Sequence, residues 1–260
     1  MSNAGKAAIV EGCLRRSRFW ANIVKFHLTA NMRTNPDQAE FAQYLLEVGE
    51  GRHQRIAGLP EESIDIPRNW VTENVINEIF PEVDENSHNT AILTPKNNTA
   101  LLINEEVLEK LPGDRKIYYS HDIELDQNSQ PNPAPLYPVE LLHSLTPSGM
   151  APHKLILKKG ALIMLLRNMD PSLGLCNGTR LIIEELYENT IKARIVQSTY
   201  SGSSHFIPRM KINPSETNLT ISFSRSQFPV RLAYAFTINK AQVGYISWLF
   251  MDFFIRAFSL

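Results

Sequence analysis

Five short apolar runs between residues 153 and 210 constrain this chain most. They are HKLILKKG (153–160), ALIMLLRN (161–168), TRLIIEEL (179–186), TIKARIV (190–196) and SHFIPRM (204–210). Each is short for a helix and rich in Ile, Leu and Val. Turn signals separate them: Lys159-Gly160, Asp170-Pro171, Asn177-Gly178, Glu188-Asn189 and Gly202. Strands at this spacing, with Asn-Gly at a tight turn, predict a small antiparallel barrel or sandwich. A further run, RLAYAFTI (231–238), reads as a buried strand leading into the polar turn TINKAQ (237–242).

The first 112 residues read differently. Residues 7–20 space Ile9, Val10, Cys13 and Leu14 as a short helix, with Arg15, Arg16 and Arg18 near its end. IVKFHLT (23–29) alternates like a strand. Residues 35–51 form the clearest helix, with Asn35 and Pro36 at its start, a stripe of Phe41, Leu45 and Val48, and Gly49 and Gly51 at its end. Residues 72–80 read as a helix capped by Thr72, TAILTP (90–95) as a buried strand, and 98–112 as a helix stopped by Pro112. DQNSQPNPAP (126–135) is a Pro/Asn-rich surface loop. Helices and strands followed by a β-rich insertion and one more strand predict an α/β domain with an inserted barrel.

At 43% hydrophobic and 20% charged, the chain can bury a core. Its net charge of −1 is not that of a typical nucleic-acid binder, but the charge is uneven. Residues 1–33 carry six Lys/Arg and one acid, 34–150 seven and twenty, and 151–260 thirteen and six. Basic ends around an acidic middle make a positive face if the ends meet; ordinary surface variation gives the same counts. Cys13 and Cys176 are far apart and match neither a disulfide framework nor a zinc spacing, so both read as small core residues. The start has no signal peptide. The tail YISWLFMDFFIRAFSL carries Asp252 and Arg256 and is short for a bilayer, so no membrane partner is expected.

The phosphate-cradling motif G-x-x-x-x-G-K-[ST] is absent from the sequence, as are H-E-x-x-H, G-x-S-x-G and paired cysteines, and no metal ligands are assigned. Three polar segments remain, each just after an expected strand: TANMR (29–33), TPKNN (94–98) and TINKAQ (237–242). In α/β sheets, ligands sit beyond the carboxyl ends of strands. Arg, Lys, Thr and Gln there suit phosphate oxygens. Taken singly, each segment also reads as an ordinary helix cap or solvent-facing turn.

FHLTANMR (26–33), PSGMAPHKLILKKGALIMLLRNMDPSLGLCNGTRLII (147–183) and FPVRLAYAFTINKAQ (228–242) resemble PIF-type ATP-dependent DNA helicases, nearest the Helitron-encoded branch of helicase superfamily one. The likeness runs in order from about residue 7 to 242. It implies part of a RecA-like second lobe (1–150, with surface loop 113–150), an inserted β-barrel subdomain (151–215), and a return strand with a DNA-contact motif (216–242). By resemblance, Arg33 is an arginine finger that stabilises charge on a transferring phosphoryl group. Thr94, Pro95 and Lys96, with Thr237, Asn239, Lys240 and Gln242, match loops that contact single-stranded DNA. The implied cofactors are ATP and Mg2+, and the implied partners are single-stranded DNA and a first lobe. The implied role is 5′-to-3′ unwinding in DNA repair, recombination and telomere maintenance, in the nucleus or alternatively in mitochondria.

The sequence departs from the family after Gln242, where Val243 and Gly244 replace the expected Gly-Gln, and residues 243–260 do not match. The P-loop and acidic pair that hold ATP and Mg2+ in the family are not among these residues, so the chain is expected to be a truncated portion that hydrolyses no ATP alone. A domesticated transposon remnant that binds single strands or a partner without enzymatic activity is the alternative.

Overall fold

The structure, a computed structural model, describes residues 10–26, 36–52, 56, 58, 60, 63–66, 68, 71–126, 130–147, 149–196, 199–214 and 221–238. The chain divides into two compact units, Met1–Ile66 and Pro67–Leu260. No helix among the described residues is long and apolar enough to cross a membrane.

In the first unit, helix α1 (Ala39–Gly49) is entered through a 3-10 turn at Pro36–Gln38, in keeping with the proline entry. Gly51, in the left-handed region at φ +67, turns the chain away. Tyr44 Oη donates to Asp65 O at 2.8 Å and ties the helix to the end of this unit. The expected helix over 7–20 is not continuous. Residues 10 and 11 are helical, and then the chain makes 3-10 turns at Leu14–Arg16 and Trp20–Asn22. Val10, Leu14 and Phe19 stay exposed, so the apolar stripe has no surface to bury against, and burial is what stabilises so short a helix. Cys13, read as a core residue, is exposed and Cys176 half-buried. Residues 23–26 are not in a strand; the rest of that expected strand lies outside the described residues.

Among the described residues, the second unit holds helices α2 (Val75–Ile79), α3 (Asn97–Lys110) and α4 (Val139–Ser144). Its strands, in chain order, are β1 (Ile92–Thr94), β2 (Lys116–Tyr119), β3 (His121–Glu124), β4 (Lys154–Leu157), β5 (Leu162–Leu165) and β6 (Arg180–Leu186). Then follow β7 (Thr190–Ile195), β8 (Ser204–Pro208), β9 (Met210–Ile212), β10 (Phe223–Gln227), β11 (Val230–Leu232) and β12 (Ala235–Thr237). The cap of α2 is Asn74 rather than Thr72: Asn74 Oδ1 accepts from Asn77 N at 2.9 Å, while Thr72 Oγ1 accepts from Asn74 N one step earlier. Helix α3 buries Ala100, Ile103, Val107 and Leu108 along one stripe. Just past its end, Lys158 Nζ donates to Leu111 O at 2.7 Å, and Pro112 follows.

The β-rich region is an open sheet, which corrects the expected barrel. Five strands run β11-β5-β6-β7-β8, all antiparallel, and the end strands do not pair with each other. β4, expected beside β5, pairs instead with β2, and β3 pairs with β10, which also pairs with β9. The segment 116–124, left without strands in the sequence reading, supplies the partners of β4 and β10.

The run 231–238 is also not one strand. It splits into β11 and β12 around Ala233 and Tyr234. β11 lies antiparallel to β5, and β12 lies parallel to β1. Tyr234 fixes the crossing: its buried hydroxyl accepts from Leu162 N at 3.0 Å and its ring packs edge-on to Phe80. One core runs continuously from α2 and α3 through β5, β6 and β7 to Phe236.

Candidate nucleic-acid interface

The parallel pair β1 and β12 brings two of the three polar segments together. Their register sets Ile92 opposite Ala235 and Thr94 opposite Thr237. Parallel strands end on the same edge, so TPK (94–96) and Thr237-Ile238 leave the sheet side by side. The Thr94 hydroxyl is buried and donates to Lys96 O at 2.8 Å, which bends the chain and leaves Pro95 and Lys96 exposed. Lys96 is also the extended residue that caps α3, whose first turn carries no acid. A lysine beside an uncompensated helix N-terminus is a local centre of positive potential. Thr237 is half-buried at the other strand end. Beside it a cleft is lined by Asn97, Asn104, Lys154, Arg231, Phe236 and Thr237.

The structure thus places Thr94, Pro95, Lys96 and Thr237 at one edge. Arg33, Asn239, Lys240 and Gln242 lie outside the described residues.

Two side chains that the sequence reading missed hold this edge. Asn104, on the buried stripe of α3, donates through Nδ2 to Ala235 O at 2.6 Å and Ala100 O at 2.7 Å. Its Oδ1 accepts from Tyr234 N at 2.9 Å and Ala235 N at 3.0 Å. Arg180, at the start of β6, reaches across to both strands. Its Nη1 donates to His88 O at 2.6 Å, and its Nη2 to Thr90 O at 3.0 Å and Ala233 O at 2.9 Å. All three acceptors are backbone carbonyls in the segments that enter β1 and β12. Burial, slightly opposed by Tyr234, lowers the guanidinium pKa to about 10, so it stays charged at neutral pH. The signals were an asparagine inside an apolar helical stripe and an arginine opening an apolar strand.

A second polar cluster lies under α4. Arg225 is fully buried and grips Asp122 through Nε (3.0 and 3.1 Å) and Nη2 (2.6 Å). Its remaining donors hold Leu142 O, Leu145 O and Ala151 O. Burial pushes the Asp122 carboxyl pKa up, but hydrogen bonds from Arg225 and Ser120 outweigh it and hold it below the usual value. Ser120 Oγ lies 2.7 Å from Asp122 Oδ1 and 2.8 Å from His153 Nδ1. The serine proton goes to the carboxylate, so the hydroxyl accepts from Nδ1–H of His153. That order does not activate the serine, because no base faces its proton except a carboxylate already held by arginine. Asp122, His143 and His153 also set metal-type ligand atoms within 4.8 Å of one another. Arg225 already occupies both carboxylate oxygens and repels a cation, so the cluster is a structural network.

Comparison with known proteins points to DNA helicases. Residues 140–186, which span most of α4 through β6, match the family model of the DNA helicase Pif1 2B domain. The ATP-dependent DNA helicase PIF1 of Xenopus laevis is 28% identical over 153 residues, 59% of this chain and 21% of that protein. The crystal structure of Pif1 helicase from Candida albicans aligns with a TM-score of 0.50 at 17% identity, covering 88% of this chain and 51% of that one. Bacteroides Pif1 in complex with ADP-AlF3 and ssDNA also aligns at 0.50, with 19% identity, covering 82% of this chain and 42% of that one. The chain spans about a fifth of the curated relative and about half or less of the solved structures. The resemblance to PIF-type DNA helicases read from the sequence holds, over a C-terminal portion of such proteins.

Proposed function

We propose that this chain is part of the second lobe of a PIF-type ATP-dependent DNA helicase and that it grips single-stranded DNA at the paired ends of β1 and β12. The observation that carries this reading is the Thr94–Thr237 register, which sets two phosphate-suited loops on one sheet edge. Lys96 supplies a point charge there and Thr237 a hydroxyl, and the resemblance adds Asn239, Lys240 and Gln242 as further contacts. Such contacts read the backbone and tolerate any base sequence. That the Bacteroides relative was solved with ssDNA supports this choice of ligand. ATP and Mg2+ belong to the reading through a first lobe, toward which Arg33 acts as the arginine finger. Roles in 5′-to-3′ unwinding, DNA repair, recombination and telomere maintenance, in the nucleus, rest on the same resemblance.

The test is fluorescence anisotropy of a labelled oligothymidine titrated with the chain at several salt concentrations. Binding is expected to weaken as salt rises. Lys96→Ala is expected to weaken it further and to reduce the magnitude of the log–log salt slope by about one phosphate contact. Absence of binding at low salt, or a Lys96→Ala affinity equal to the wild type, refutes the reading. Binding without DNA-stimulated ATP hydrolysis, even with a first lobe supplied, favours the non-enzymatic alternative.

A further inference from the structure

Asn104 raises a physical question. It is 4% exposed and stands in the apolar stripe of α3 between Ile103 and Val107. A buried amide is costly unless its hydrogen bonds are made. Here the amide makes four, two of them to Ala235 at the start of the strand that leads to Thr237 and one to Tyr234 just before it.

The pattern resembles a strand partner. β12 has β1 on one edge. On its other side, Ala235 gives its N–H to Asn104 Oδ1 and its C=O to Asn104 Nδ2, as it would to a neighbouring strand. A single side chain thus completes the ladder that the sheet lacks there. Asn104 lies two helical turns from Asn97, and Lys96 caps that same helix. Ala235 lies two residues before Thr237, in one short strand. One carboxamide therefore connects the helix bearing Lys96 to the strand bearing Thr237.

We infer that Asn104 is a positioning residue that sets Lys96 and Thr237 in register, so that both contact one continuous nucleic-acid strand. The inference rests on the proposed reading of those loops. Asparagine suits the task in length and chemistry. Aspartate keeps both acceptor bonds but turns the donor on Ala235 O into a second acceptor. Glutamine adds a methylene to a filled site. Leucine leaves Tyr234 N, Ala235 N and Ala235 O unpartnered.

The test is oligothymidine binding by the full chain carrying Asn104→Asp, alone and combined with Thr237→Val, with thermal melting of each variant. At pH 7.5 Asn104→Asp is expected to lower affinity about tenfold, which is 1.4 kcal/mol. The loss is expected to vanish in the Thr237→Val background, because the contact that Asn104 positions is already gone. A residue that merely stabilises the fold lowers the melting temperature equally in both backgrounds and leaves the affinity of the folded chain unchanged.

If Asn104→Asp does not fold at pH 7.5, the ratio to wild type is read at pH 5. Protonation of the introduced carboxyl restores a donor to Ala235 O, so lowering the pH favours the native bonding. Recovery to within twofold of wild type is expected. Wild-type binding with no effect of Asn104→Asp, or an equal loss in both backgrounds, overturns this inference alone. Failure of the wild type to bind overturns the reading of the loops, and this inference with it.

Discussion

Replacing Arg180 with methionine tests the clamp between the main sheet and the site edge. Methionine keeps an unbranched apolar stem and removes the guanidinium. Three hydrogen bonds are lost, to His88 O, Thr90 O and Ala233 O. Bonds from a charged donor contribute about 1.5–3 kcal/mol each, so the gross loss is about 5–9 kcal/mol. Against this stands the burial of a charge that meets no carboxylate among its three acceptors. Burial has moved its pKa from 12.5 to about 10, which corresponds to about 3 kcal/mol against the charged form. The net expectation is a destabilisation of about 2–6 kcal/mol for Arg180→Met. Urea unfolding followed by circular dichroism measures it, and hydrogen exchange locates it. The Ile92 amide, bonded to Tyr234 O at 2.8 Å, reports the β1–β12 junction and is expected to exchange faster. Arg180→Lys keeps the charge but not the planar fork, and is expected to recover at most one of the three bonds. A loss below about 1 kcal/mol, or full rescue by lysine, refutes the reasoning, because carbonyls that rehydrate freely need no clamp.

Two further perturbations follow from the same geometry. Asp122→Asn leaves Arg225 buried without its carboxylate and is expected to cost about 3–5 kcal/mol in unfolding free energy. The folded pKa of Asp122 lies below its unfolded value, so the stabilisation is fully present above pH 3.8 and lost as pH falls through the folded value. The asparagine variant is therefore expected to show a flatter stability–pH curve below about pH 4, and an unchanged acid limb refutes the assignment. Gly174 sits in the left-handed region at φ +75, and an added Cβ would lie 2.5 Å from Tyr200 Cδ2. Gly174→Ala is expected to cost about 1–3 kcal/mol. Adding Tyr200→Ala should recover only the steric part of that loss, and complete recovery on thermal melting contradicts a backbone contribution.

The strands between 154 and 208 were legible because each is a short apolar run closed by a turn residue that the turn needs. Gly160, Gly178 and Gly202 do adopt positive φ. That those strands form an open sheet rather than a barrel was not legible. Pairing depends on β2 and β3, four-residue strands KIYY and HDIE too short to announce their partners, which lie far along the chain. The break at Ala233 and Tyr234 was hidden for the same reason. RLAYAFTI is apolar throughout, and nothing local marks where one sheet ends and another begins. At the site, Thr94 to Lys96 and Thr237 could be read as loop chemistry. Their adjacency could not, because it depends on a parallel pairing across more than a hundred residues of insertion.

The motif GLCNGTR, specific in its resemblance, lies away from the proposed DNA edge and acts through structure. Thr179 Oγ1 donates to Gly174 O at 2.7 Å and accepts from Cys176 N at 3.1 Å, which closes the turn. Asn168, from the preceding LLRN, accepts from Asn177 N at 2.7 Å. Arg180 then leaves that rigid turn and reaches the segments entering β1 and β12. A signature of this kind marks where the inserted sheet is locked to the strands that carry the loops. Rigid turns preserve such a lock better than exposed contacts do, since a shift of one ångström at Arg180 breaks three bonds at once. GLCNGTR is therefore recognisable for residues that hold this sheet edge in place, whereas the loops proposed to meet DNA are short and polar.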